Sequence, residues 1–512
     1  MCVLPVDMRT CFFQQLCSRR TVFAFGALGG ACVLSSSYAS DADNRRSDPK
    51  KRTVVIGAGV VGLAVARELS VLGHKVTVLE KDEYICNGAS SGNSGIGCTG
   101  YDASPGTLER KLLRRSIVRH PALYRSLGLS YDHVRKCGAV VVAWSDNEVG
   151  ELQNILDDNL EAGDLESRLV DRDELLEMEP SLSKLALGGM VAPREMVTEP
   201  WLVPIAYANS AILHGATILT NEQVTNAVFD KETKTWTCST ASGKRVEADT
   251  VINCAGLYGD HCEEYRMKAE GVAMDEEARP FDILPRKGQF VVLEKASPEC
   301  PGPAVSGATG NSDDALPWTV IQPVPTERTK GVIVWQSVYG QIIVGPTAED
   351  QQSRHDRTND KKTIEYLIDY GCKVLPALEH FKVVGTYSGI RPATQFRDYQ
   401  IEAYRDLNWV TVGGIRSTGL TAASGIAEYV SYLLGEREFD DSPVLPPYSP
   451  IQLQQQKATT PNPPAPSLQD LARNYVKRGD GTVECFGRVW KVTHPLSSFG
   501  MEALGKKLTG KT

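Results

Sequence analysis

The sequence predicts an α/β protein. Three observations carry that reading. Residues 52–81, RTVVIGAGVVGLAVARELSVLGHKVTVLEK, pass from a β-branched run through a glycine turn into an apolar helix pattern and a second β-branched run. Two later runs, DTVIN at 249–253 and WVTV at 409–412, are short, apolar and followed by small-residue turns, as buried parallel strands are. Residues 223–247, 286–293 and 331–345 read as short strands broken by turn residues.

In the first unit, Thr53–Ile56 is the strand, Val60–Leu72 the helix and Lys75–Leu79 the second strand. Gly57, Gly59 and Gly62 form G-x-G-x-x-G between strand and helix, and Glu80 follows the second strand. Gly57 makes the turn, Gly59 lets a pyrophosphate approach the backbone, and Gly62 lets helix and strand pack closely. The helix N-terminus offers unpaired N–H groups, and Glu80 can accept from a ribose. Glycines alone are weak evidence; with both strands, the helix and the acid in register they predict a Rossmann-type dinucleotide site.

The remaining elements follow in order. A small-residue stretch, SSGNSGIGCTG at 90–100, suits a loop that lets a ligand approach its backbone. Helices are predicted over Thr107–Leu127, Asp171–Met178, Thr198–His214 (amphipathic), Thr358–Leu375 and Leu420–Leu434. Gly138–Trp144 is a strand. Gln223–Asp230, Thr235–Thr240 and Arg245–Glu247 are three more, turned at 231–233 and 242–243. After Asp440 the chain is rich in Pro and Gln, and reads as a linker or draped tail. The last piece, Leu468–Thr512, holds a short helix, a strand candidate CFGRVWKV and a basic end.

Composition bounds the function. The chain has 512 residues, 42% hydrophobic and 23% charged, long enough for two or more domains. Its net charge of -8, with no basic stripe, argues against nucleic acid. Thirteen cysteines without a CxxC pair or a Cys/His cluster at metal spacing argue for reduced thiols and against a metal site. The first fifty residues read as a targeting segment and linker. Few acids, with arginines and serines, favour a mitochondrial presequence; Arg19-Arg20 and Ser37-Tyr38-Ala39 also fit a cleaved export signal, and 21–40 a membrane anchor.

Five stretches together resemble the FAD-dependent oxidoreductases of the D-amino-acid oxidase superfamily. They are the unit at 52–81, SSGNSGIGCTG, VINCAG at 251–256, GIRP at 389–392 and VGGIRSTGLTAASGIAEYV at 412–430. The resemblance spans Thr53 to about Gly435 and is nearest the glycerol-3-phosphate dehydrogenase and L-2-hydroxyglutarate dehydrogenase branch; GQIIVGPTAED at 340–350 points the same way. It implies a discontinuous Rossmann-type FAD-binding domain at 51–135, 194–278 and 388–437. An inserted, mostly antiparallel β-sheet substrate domain would occupy 136–193 and 279–387. Residues 438–512 fall outside it, as linker and C-terminal extension.

The resemblance also implies site residues. FAD would be held by Gly57, Gly59, Val61, Gly62, Glu80 and Lys81, and by Ser91, Asn93 and Ser94. Val224, Ala255 and Gly256 would lie beside its adenosine and pyrophosphate, and Gly414, Thr418, Gly419, Leu420 and Thr421 beside its ring. N–H groups at that last helix start would stabilise negative charge on the reduced flavin. The reaction would remove a hydride from a carbon bearing a hydroxyl or amine and deliver it to flavin N5. Arg391, in GIRP, matches the family's substrate-contacting arginine; Arg416 and Arg286 are further candidates to clamp an anion. Relatives often carry histidine where this chain has Cys98, and a thiol is not a like-for-like base.

Three functions follow. The first is an FAD-dependent dehydrogenase of a small anionic 2-hydroxy acid or polyol phosphate. The second is an amine or amino-acid oxidase, kept open by Cys98. The third is a flavoprotein retained as a scaffold or assembly factor, suggested by the extra C-terminal residues. A quinone, an electron-transfer flavoprotein or oxygen are the open choices of electron acceptor, and peripheral membrane association is compatible with the apolar N-terminal stretch.

Overall fold

The computed structural model describes residues 51–272, 279–295, 317–326, 330–440 and 462–510. The expected targeting segment and most of the expected Pro/Gln-rich linker lie outside the described residues.

The β-branched runs assemble into one six-stranded sheet, in the order Gln400–Tyr404, Trp409–Gly413, Thr250–Asn253, Arg52–Ile56, Lys75–Leu79 and Thr217–Leu219. The last five are parallel, and Val54 sits beside both Val251 and Thr77. Their apolar continuity has a simple cause. Val55, Val78 and Ile252 face the helices Val60–Val71, Leu202–Leu213 and Gly419–Leu433. Val54 and Val251 face a meander of Val224–Asp230, Thr235–Thr240 and Arg245–Ala248, centred on Trp236. Both faces are covered, as parallel sheets require.

A second sheet of nine strands draws on 139–192, 284–350 and 383–393. Its strand Ala139–Ala143 is buried throughout because Val140 and Val142 enter one core and Val141 the other. The long strand Leu284–Lys295 pairs antiparallel with Val383–Ala393, setting Arg286 opposite Arg391 and Gly288 opposite Gly389. The segment boundary expected between 387 and 388 falls inside that second strand. A third, small sheet joins Ile96–Gly97 and Val134–Lys136 to Met196–Thr198.

Several sequence expectations need correction. The helix expected from Thr198 starts at Leu202, since Met196–Thr198 pairs as a strand. It is also buried on every side over Leu202–Ala211, not amphipathic, because it is enclosed within the main core. Helix Asp146–Glu161 was hidden in a polar stretch; the Ser145 side chain caps it by accepting from Glu148 N. CFGRVWKV is not one strand. The chain reverses at Phe486-Gly487, both left-handed (φ 56° and 71°), so that Thr482–Cys485 and Arg488–Lys491 form a hairpin.

The C-terminal piece continues into a second helix, Pro495–Thr509, packed on Leu468–Arg478. Leu471 and Met501 are fully buried in the same core as the first βαβ unit. The extension is therefore part of the folded body.

Candidate functional site

Two cavities meet at the carboxyl ends of the parallel strands, the place where open α/β sheets bind ligands. The first, of about 520 Å³, is lined by Gly57, Gly59, Val61, Gly62, Glu80, Lys81, Val224, Ala255, Gly256, Gly419 and Leu420. The second, of about 280 Å³, is lined by Ser94, Cys98, Thr418, Arg286, Arg391 and Arg416. Asn93, Ala89, Arg416 and Ser417 border both.

The glycines of the first cavity are required by contact. A Cβ on Gly57 (φ +101°) would lie 2.5 Å from Cys254 O, and one on Gly62 2.0 Å from Gly57 O. The helix Val60–Val71 begins at Gly59 with no side-chain cap, and Gly419–Leu433 begins at Thr418 likewise. Two helix N-termini beside one cavity, the first with Ser90 Oγ accepting from Val60 N (2.9 Å), suit an anionic, electron-accepting ligand. Glu80 is buried, and burial pushes its carboxyl above the ordinary range. It accepts from Ala58 N (2.7 Å) and Asp82 N (3.0 Å), so it also ties the glycine turn to the strand end. Lys81 pairs with Asp82 (2.7 Å) and lies 5.1 Å from the Tyr258 ring centroid. These residues fit FAD, with glycines and N–H groups for the pyrophosphate, Glu80 for a ribose and the second helix start for the ring.

Three expected FAD residues, Ser91, Thr421 and Gly414, are not among the residues that line the two cavities. Ser91 is buried, donates to Gly88 O (2.9 Å) and accepts from Arg357 Nη1 (2.6 Å); its neighbour Ser90 faces the cavity and accepts from Val60 N. Thr421 Oγ1 accepts from Cys98 N (3.1 Å). Gly414 (φ +65°) turns the chain against Thr394 and Gln400.

The second cavity is rich in cations. Arg391 donates through both terminal nitrogens to Thr347 O, each at 3.2 Å, and has no carboxylate at ion-pair distance among the described residues. Burial, with the nearby Arg286 and Arg416 charges, pushes its guanidinium down to about 10, so it stays charged at neutral pH. Gly288 makes room for it, since a Cβ there would lie 2.7 Å from Arg391 Nη2. Arg286 is paired with Asp350 at 2.6 Å. Arg416, itself left-handed (φ 51°), donates to Arg397 O.

Cys98 lies at this cavity, but burial pushes its thiol up to about 12, and its Sγ lies 3.6 Å from Thr421 Oγ1. A neutral thiol cannot take a proton, so Cys98 is not the base.

Among the polar lining residues that the sequence reading missed are Lys330, Asp102 and Glu109. Lys330 Nζ pairs with Asp102 Oδ1 at 2.7 Å. Glu109 Oε1 accepts from Thr418 Oγ1 (2.7 Å), which shares a hydrogen bond with the Tyr399 hydroxyl (2.6 Å). Glu109 Oε2 has no hydrogen-bond partner among the described residues. In the sequence Glu109 is indistinguishable from a first-turn helix acid, and Lys330 sits in a polar loop without a motif.

The chain is similar to known proteins over the segments that carry both cavities. A glycerol 3-phosphate dehydrogenase of Caloramator mitchellensis is 30% identical over 382 residues, covering 74% of this chain and 73% of its own. The mitochondrial L-2-hydroxyglutarate dehydrogenase of Homo sapiens is 26% identical, over 65% of this chain and 69% of its own. The FAD-bound L-alpha-glycerophosphate oxidase structure from Mycoplasma pneumoniae superposes with a TM-score of 0.65 at 25% identity, covering 78% of this chain and all of that one. The family model described as FAD dependent oxidoreductase matches residues 52–433, across both cavities, and the chain belongs to that family of FAD-dependent enzymes.

Proposed function

We propose that the protein oxidises the hydroxyl-bearing carbon of a small polyol phosphate, of the glycerol 3-phosphate type, with 2-hydroxy acids as the neighbouring substrate class. The observation that carries this reading is Arg391: a half-buried guanidinium at the cavity, held by a carbonyl and with no carboxylate at ion-pair distance among the described residues. With Arg416 beside it, two guanidinium groups without an ion-pair partner among the described residues line one cavity, which favours a phosphate dianion over a single carboxylate.

FAD, when bound, supplies the two-electron acceptor. The chain's own residues do the rest. Arg391 and Arg416 hold the anion and set the distance of the reacting carbon from the cavity junction at Asn93 and Ser417. Glu109 takes the hydroxyl proton at Oε2, while Thr418 holds Oε1. The names of the relatives, a glycerol 3-phosphate dehydrogenase and an L-2-hydroxyglutarate dehydrogenase, support the hydroxyl-bearing substrate.

The test is anaerobic mixing of the yellow protein with glycerol 3-phosphate, L-2-hydroxyglutarate, glycine and sarcosine. Bleaching by glycerol 3-phosphate first is the expected result. Bleaching only by the amines makes the protein an amine oxidase, and bleaching by none returns it to the scaffold reading. Reoxidation by oxygen, a quinone or an electron-transfer flavoprotein then identifies the acceptor. Import into mitochondria is part of the same proposal, supported by the composition of residues 1–50, and organelle fractionation tests it.

A further inference from the structure

We propose that the C-terminal extension is a positioning element for the cofactor-side loop, acting through His494 on the main chain of Asn93. The family match ends at residue 433, so this contact comes from a part of the chain outside it.

Asn93 stands at the border of both cavities. Every polar group of its side chain is spent within the loop: Nδ2 donates to Ser90 O (2.7 Å) and Oδ1 accepts from Gly95 N (2.8 Å). Its carbonyl accepts two bonds from outside, from the Tyr387 hydroxyl (3.2 Å) and from His494 Nε2 (3.0 Å). A carbonyl only accepts, so His494 carries its proton on Nε2. In a planar trans peptide the N–H of the next residue points opposite to the carbonyl. Two donors that draw the Asn93 carbonyl to the protein side therefore turn the Ser94 N–H to the other side, and Ser94 lines the substrate cavity.

His494 is placed to do this without moving. It is 1% exposed and sits edge-on to Tyr387, with ring centroids 5.7 Å apart. Burial pushes its imidazole down to about 3, so it is a neutral donor throughout the physiological range. Its neighbours fix its backbone. Thr493 Oγ1 donates to Cys86 O (3.2 Å), and Trp201 Nε1 donates to Lys491 O (2.9 Å). The Phe499 ring fills the space over Gly385, where a Cβ would come within 2.5 Å of it.

Reconstitution of apoprotein with FAD tests the proposal, read as the FAD dissociation constant and the flavin reduction potential. His494→Ala is expected to weaken FAD binding about tenfold, the effect of one lost buried hydrogen bond. His494→Gln, which restores an N–H donor, is expected to recover most of it. Met501→Ala, which opens a cavity in the same extension away from Asn93, is expected to lower the melting temperature while FAD binding stays within about twofold. FAD binding unchanged in His494→Ala, or weakened equally in Met501→Ala, overturns the proposal in favour of a purely structural extension. If His494→Ala does not accumulate, Tyr387→Phe removes the other donor to the same carbonyl. At least about threefold weaker FAD binding in that variant supports the proposal, and unchanged binding overturns it.

Discussion

Gly92 and Gly389 meet backbone to backbone. A Cβ on Gly92 would lie 2.3 Å from Gly389 Cα, and one on Gly389 would lie 2.0 Å from Gly92 O. The cofactor-side loop and the strand that carries Arg391 are thus locked at a point where no side chain fits. Gly389→Ala is expected to destabilise the fold by about 3 kcal/mol, at the upper end of overpacking costs. Thermal unfolding with and without FAD checks it, and a variant as stable as the parent would show that the close contact does not constrain the fold.

Arg391→Ala is expected to raise the substrate KM by about 100-fold while FAD stays bound, since a charge-assisted, two-point contact is lost. Arg391→Lys should recover only part of the affinity because it keeps the charge and loses the planar fork. Steady-state kinetics with glycerol 3-phosphate, beside the flavin absorbance of each variant, separates the two effects.

Glu109→Gln is expected to lower kcat about 100-fold with little change in KM, the scale of a lost general base. The amide can still accept from Thr418, so the local geometry survives. Single-turnover flavin reduction is the decisive measurement; unchanged reduction would assign proton removal to another group.

Cys98 is expected to be chemically silent. Its thiol is held neutral up to about pH 12, so alkylation at pH 8 should be slow in the folded protein. Cys98→Ser should keep flavin reduction within a few-fold. Mass mapping after timed alkylation, with the variant's kinetics, checks both.

Glu195 makes a pH prediction. It is fully buried beneath the loop and accepts from Thr99 N (2.5 Å) and Thr99 Oγ1 (3.0 Å). Burial raises its carboxyl from 4.5 to about 7. The folded state therefore binds this proton more tightly than the unfolded one. Its contribution is complete below pH 4.5 and is lost as pH rises to about 7. Glu195→Gln should flatten the pH dependence of unfolding across that window, measured by urea titration. A slope equal to the parent's would contradict the assignment.

The cofactor half of this site was legible because its chemistry is written in backbone. Gly57, Gly62 and Glu80 are identified by spacing alone, and the structure shows the contacts that forbid a Cβ at both glycines. Ser91 shows where such reading stops: Ser90 and Ser91 are identical in sequence, and only a 3₁₀ turn decides which hydroxyl faces the cavity. The substrate half was less legible. Arg391 came from its motif, but Glu109 and Lys330 reach the cavity from a helix start and a loop whose local sequence is ordinary. The fold showed the same divide. Strands buried on both faces announced themselves as apolar runs, whereas helix Asp146–Glu161 and the last helix lay in polar or mixed stretches without a strong signal.

The hydrogen bond from His494 to Asn93 closes across 401 residues. Chains generally fold domain by domain from the amino end as they leave the ribosome. Here the loop beside the cofactor is made first, and its support from His494 is made 401 residues later. A chain cut short before His494 would carry every glycine of the cofactor fingerprint and still lack that hydrogen bond to its loop.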